Sequence, residues 1–166
     1  MFYPAIIMSF EKENFLRTRL TGYLQQLRPD ASPLWGKMSV QHMIEHLGRD
    51  AFRTASGRLK FDTILLPANQ VAAMQEFIMT NRPFKKNIKN PLMPEEPGTL
   101  HYKTIQAAIG SLHQELIYFF EAFEKNPQLI TRNPFYGDLN FDQNVRLLYK
   151  HSLHHLAQFG VIPPGT

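Results

Sequence analysis

The sequence predicts an all-α fold, a four-helix bundle with one long crossover connection. Apolar residues recur at three- and four-residue steps through four long segments. No segment shows the two-residue alternation that a pair of strands requires. A proline-crowded stretch, residues 82–103, separates the second long helix from the third. Helices joined by short turns become antiparallel neighbours, and one long connection makes a crossover.

The first helix is expected in SFEKENFLRTRLTGYLQQL, where Leu16, Leu20, Tyr23, Leu24 and Leu27 form one stripe and Ser9 is the expected N-cap. RPDASPLWGKM then reads as a connector. The second helix opens at Ser39 in SVQHMIEHLGRDAFRTA, with Val40, Met43, Ile44, Leu47 and Ala51 on one face and Gly57 as its stop. A short helix follows in NQVAAMQEFIMTN, built on Val71, Met74, Phe77 and Ile78. RPFKKNIKNPLMPEEPGTLHY carries Pro83, Pro91, Pro94 and Pro97, too many for a helix. Structureless connections of this length often serve as lids, so the segment is a candidate lid. The third helix, TIQAAIGSLHQELIYFFEAFEKN, is the most apolar, and NPQLITRNPFYGDL reads as a turn-rich connector. Asn140 with Gln143 three residues on forms a capping-box variant. The last helix, NFDQNVRLLYKHSLHHLAQF, ends before Gly160, with Pro163 and Pro164 beyond. No internal repeat is visible, and residues 1–166 are expected to form a single domain.

Composition narrows the function. The 166 residues include no cysteine, which removes disulfides, thiolate nucleophiles and thiolate metal ligands together. No apolar run approaches the length of a membrane span. The N-terminal MFYPAIIMSF lacks a basic region and a small-residue cleavage site, so it is not read as a signal peptide, and a cytoplasmic location is expected. The net charge is +4, with Arg82, Lys85, Lys86 and Lys89 gathered in the crossover. Only Phe84 is interleaved among them and no nucleic-acid-binding module is present, so no nucleic-acid partner is expected. The bland reading is a solvated basic loop; the functional one is an anionic small substrate. No GxSxG, P-loop or GxGxxG motif occurs.

HSLHHLAQFG places three of the seven histidines within five positions. On the last helix Phe141, Val145, Leu148, Leu156 and Phe159 define a buried stripe that includes Ser152. At about 100° per residue, His155 lies roughly 55° from the middle of that stripe and His151 roughly 95°, on the same side. His154, roughly 155° away, is expected to face solvent. Side chains four apart are neighbours, and two imidazoles there can converge on one ion with bonds of about 2.0–2.1 Å. A further ligand must come from elsewhere. QHMIEHL on the second helix offers His42 and His46, of which His46 lies nearer the apolar stripe. An isolated HxxxH is a weak signal, since histidines at a core edge are usually just hydrogen-bonded. The absence of a carboxylate placed to pair with two inward histidines favours a metal. Asp50, one turn after His46, is a candidate acceptor behind it, against the plainer reading of a surface acid. Glu45 is expected to be solvated. His101, His113 and Glu115 have no partner identifiable in the sequence, and Trp35 reads as a packing anchor.

PLWGKMSVQHMIEHL, followed about a hundred residues later by HSLHHLAQF, resembles the DinB/YfiT-like superfamily of proposed metalloenzymes. The closest likeness is to an uncharacterised branch marked by a WG-x-M connector and a C-terminal NPFYGDL…HHLAQFG segment. It spans roughly residues 10–160 and rests on these two motifs. The resemblance implies a four-helix bundle holding a divalent ion through one histidine of helix two and an HxxxH pair of helix four. By position these are His46, His151 and His155. Characterised relatives of that fold include thiol-dependent S-transferases and a maleylpyruvate isomerase. The lysine- and proline-rich crossover departs from the family, so no substrate carries over. The expectation is a metal-dependent hydrolase or thiol-dependent transferase with unassigned catalytic residues. Zinc or nickel suits the ligands best, with iron, cobalt and manganese as alternatives. The expected partner is a small molecule, anionic or a thiol, with no membrane partner and with a homodimer allowed for. The rival reading is a non-catalytic helical module that binds a ligand or partner in the groove.

Overall fold

The computed structural model describes residues 4–166, which are mostly helical with one small two-stranded sheet. The first three residues of the N-terminal run examined for a leader lie outside the described residues. In chain order the elements are α1 (Pro4–Thr18), α2 (Leu20–Gln25), α3 (Val40–His46), a π-helical turn (Leu47–Phe52), α4 (Arg53–Ala55), α5 (Ala68–Met79), α6 (Ile105–Lys125), β1 (Thr131–Asn133), β2 (Gly137–Leu139) and α7 (Phe141–Gln158). α1 packs along α7, α6 covers α3 and the π turn, and α5 lies on α7. The expected stripes supply the core: Leu16, Leu20, Leu24, Met43, Ile44, Leu47, Phe119 and Val145 are fully buried.

Three local expectations are corrected. Ser9 is not an N-cap, because it lies inside α1, which already includes Pro4. Its hydroxyl instead donates to Asp142 Oδ1 at 2.5 Å, tying α1 to the first turn of α7. The second helix is not regularly wound: after Ser39, whose Oγ accepts from His42 N at 3.2 Å, the chain is α-helical only to His46 and then widens into the π turn. Gly48 permits the widened turn to lie against α6, since a Cβ there would stand 3.1 Å from Leu112 Cα. The connector after α6 is not strandless. Thr131 pairs with Leu139 and Asn133 with Gly137 in an antiparallel ribbon. Asn133 Oδ1 accepts from the backbone N–H groups of Phe135 and Tyr136, and Gly137 turns the chain at φ +72°. Strands of three residues are too short to show alternation.

The capping box on α7 forms as read, with Asn140 Oδ1 accepting from Gln143 N and Gln143 Oε1 from Asn140 N, both at 3.0 Å. At its other end Gly160 adopts φ +78° and Val161 N donates to Leu156 O at 2.9 Å, a Schellman-type closure. The crossover contains no helix or strand. Lys150 Nζ donates to Thr80 O at 2.8 Å and Arg82 O at 2.5 Å, fixing its start. Glu45 accepts from His101 N at 2.8 Å and Tyr102 N at 3.2 Å, fixing its end. Between them Lys37 pairs with Glu96. No described helix is long and apolar enough to cross a membrane.

Candidate metal centre

α7 presents His151 and His155 one turn apart, and α3 brings His46 against them across the interior. His46 Nε2 lies 3.2 Å from His151 Nε2, which lies 3.0 Å from His155 Nε2. Three ring nitrogens of the same type thus converge from two helices a hundred residues apart in sequence. His155 is buried, while His46 and His151 keep partial exposure.

The far side of two rings decides where their protons sit. Gln158 Nε2 donates to Trp35 O at 2.8 Å, which orients the amide, so Gln158 Oε1 must accept from His155 Nδ1–H, at 2.8 Å. Asp50 Oδ2 accepts from His46 Nδ1–H at 2.9 Å. In the neutral rings the proton is then on Nδ1 and the lone pair on Nε2. His151 Nε2, between them, can donate a hydrogen to one neighbour only. At most one hydrogen therefore serves three nitrogens, and lone pairs face lone pairs.

Protonating the rings would relieve this, but burial opposes it. Burial, and then the neighbouring imidazoles His155, His46 and His154, push His151 well below the ordinary histidine value. Burial, followed by His46, lowers His155 to about 3 despite the Gln158 hydrogen bond. A divalent cation fits the donor set better than protons do. His46, His151 and His155 would hold such an ion through Nε2, and neighbouring nitrogens at these spacings are compatible with metal–nitrogen bonds of about 2.0–2.1 Å.

His46, His151 and His155, singled out in the sequence, stand together within metal-binding distance. Asp50 acts as the acceptor behind His46 and not as a free surface acid. His42 is elsewhere: its Nδ1 is 2.8 Å from Ser39 Oγ and its Nε2 is 2.9 Å from Gly98 O. Glu45, expected in solvent, is buried. Burial works against its ionisation, yet the His101 N–H, the Gln41 amide and the Tyr102 N–H outweigh it and hold the carboxyl below its usual range. Glu115 lies between Arg53 and Arg58, with its Oε2 3.3 Å from Arg58 Nη1, and is not part of the histidine group.

His154 departs from its expected solvent face. It is half-buried, with ring centroids of Trp35, Phe84 and His155 at 5.5, 5.7 and 5.3 Å. The helical phase is as read, but the connector and the crossover close over that side of α7. Phe84 also reaches His151, 5.9 Å between centroids, and stacks on Phe77 at 5.7 Å. Lys86 Nζ sits 4.3 Å from the Trp35 ring centroid. Sequence reasoning missed Gln158 and Phe84. Gln158 follows His155 by three positions, the helical spacing that would have marked it; Phe84 comes from a segment without periodicity.

No family model, curated protein or solved structure matches the chain.

Proposed function

We propose that the protein is a divalent-metal-dependent enzyme acting on a small molecule, with its main helices arranged as a DinB-like four-helix bundle and its site of action in the cytoplasm. What supports the reading is the convergence of the Nε2 atoms of His46, His151 and His155, short of hydrogens, with burial opposing the protonation of His151 and His155. Zinc or nickel is the preferred ion on ligand chemistry. Ligated by three neutral imidazoles, the ion keeps its full positive charge and acidifies a bound water or thiol, the starting point of hydrolysis or of thiol transfer. The chain's own residues do the positioning. Asp50 and Gln158 fix the tautomer and orientation of His46 and His155. Phe84 covers His151 on the side of the crossover and limits water there.

The second reading is a helical module that binds a ligand without catalysis, with the histidines as a hydrogen-bonded cluster. Metal analysis of protein purified without a histidine tag separates the two. The enzyme reading expects about one divalent ion per chain and a melting temperature that falls on chelation, since an ion at about 100 times its dissociation constant stabilises by about 2.7 kcal/mol. Absence of bound ion, with melting unchanged in chelator and in added zinc or nickel, would decide for the module.

A further inference from the structure

The first part of the crossover, residues 82–89, carries four cations, and the structure treats them differently. Arg82 lies over the Phe77 ring at 5.5 Å, with its carbonyl taken by Lys150. Lys85 and Lys89 are exposed and have no ring or acidic partner among the described residues. Lys37, on the neighbouring connector, is neutralised by Glu96. Lys86, exposed like Lys85 and Lys89, is set apart by its ring partner: its ammonium stands 4.3 Å from the Trp35 ring, which is 5.5 Å from His154, the neighbour of His155. Among the described residues it forms no ion pair. A second donor in the same patch is also unmatched: Trp35 Nε1 is buried without an acceptor.

An ammonium without an acidic partner over a ring whose own N–H is buried and unmatched invites an occupant rich in acceptors, because an unpaired buried donor is costly. A cation on an exposed aromatic face is held only weakly. That is enough to aim the lysine and too little to keep it from an anion. We propose that Lys86, aimed by Trp35, is the specificity-determining residue of the metal centre and selects substrates bearing a terminal anionic group. A carboxylate, sulfonate or phosphate at one end is gripped by Lys86 while the reacting end reaches the histidines. Lysine suits this task as a compact point charge on a flexible stem, with no demand for a bidentate partner. The inference rests on the metal reading of His46, His151 and His155, and names the class of substrate that site takes.

The test uses full-length protein loaded with cobalt, whose visible spectrum reports ligand binding without any turnover. Two series of hydroxamates of increasing chain length are titrated, one ending in a carboxylate and the other in a methyl group. The expected result is a carboxylate preference of about tenfold at one chain length, shrinking as salt screens the charge. Lys86→Gln should bring the acid-ended series down to the level of the methyl-ended one, with cobalt affinity unchanged, and Lys86→Arg should keep most of the preference. Equal binding of the two series by the wild-type chain would overturn the proposal. A preference that survives Lys86→Gln would overturn it equally. Failure to take up cobalt at all would instead remove the metal reading, and this inference with it.

Discussion

His42 and His46 stand one turn apart on the same short helix and meet opposite fates. Both ring nitrogens of His42 are spent, on Ser39 Oγ at one side and on the Gly98 carbonyl at the other. His46 spends only Nδ1, on Asp50, and turns Nε2 toward His151. Glu45, between them in sequence, belongs to the side of His42 and clamps the end of the crossover. Residue type and spacing are the same for the two histidines, so neither distinguishes a structural imidazole from a metal ligand. The second nitrogen does. A ring with acceptors for its hydrogen and donors for its lone pair is complete, whereas one whose lone pair meets other lone pairs asks for a cation.

The largest effect expected from this contrast is on metal affinity. His46→Ala, His151→Ala and His155→Ala each remove one of three nitrogens and should lower affinity for zinc and nickel by orders of magnitude in calorimetric titrations. His42→Ala should leave it within a few-fold of the wild-type value. Equal losses at positions 42 and 46 would break the contrast, because they would mean that both act through the stability of α3.

Next in size is the effect of acid on the metal-free chain. His155 is lowered to about 3 in the fold, and His151 is shifted in the same direction. Below about pH 6.5 the unfolded chain takes up protons that the folded rings refuse, so stability rises with pH in that range. Full stability is therefore expected above about pH 6.5, with a progressive loss toward about pH 3. For His155 alone the loss is of order 4 kcal/mol at its end. Denaturant melts across that range measure it, and the slope should be clearly shallower in a His151→Gln, His155→Gln double variant, where carboxylates held low in the fold, Glu45 among them, still contribute. A wild-type slope no steeper than that of the double variant would show that the rings are not held neutral.

A smaller effect sharpens the other half of the contrast. Glu45→Gln keeps the shape of the side chain but weakens its hold on two backbone N–H groups, and should cost about 1–3 kcal/mol. Amide hydrogen exchange at His101 and Tyr102 should accelerate while zinc affinity stays the same. Altered zinc affinity would mean that the end of the crossover and the histidine cluster are coupled.

How far these features could be read in advance follows from periodicity. The stripes of α1, α6 and α7 and the Asn140 cap are local signals, and local signals survive folding. The pairing of His151 with His155 was equally legible, because a helix fixes which side chains share an edge. The π turn at Gly48 was not, since the close approach that Gly48 accommodates is to Leu112 on a distant helix. Glu45 was misplaced for the same kind of reason: its distance from the apolar stripe pointed to water, but the crossover returns there and supplies two N–H groups. The proline-rich crossover has no period of its own, so nothing in it announced that Phe84 would land on His151.

His154 tests that lesson with the smallest expected effect. Helical phase alone predicted a solvated ring whose removal costs almost nothing. The structure keeps the phase but covers the ring with Trp35 and Phe84, while its nitrogens stay out of the cluster of three. His154→Ala should therefore leave zinc and nickel affinity nearly unchanged. Its stability cost should reach about 1 kcal/mol, above the roughly 0.5 kcal/mol usual for exposed positions, because two aromatic faces lose a contact. His154→Phe should recover much of that stability by restoring the faces without the nitrogens. A fall in metal affinity as large as that of His155→Ala, shared by His154→Phe, would place His154 among the ligands and displace one of the three now assigned.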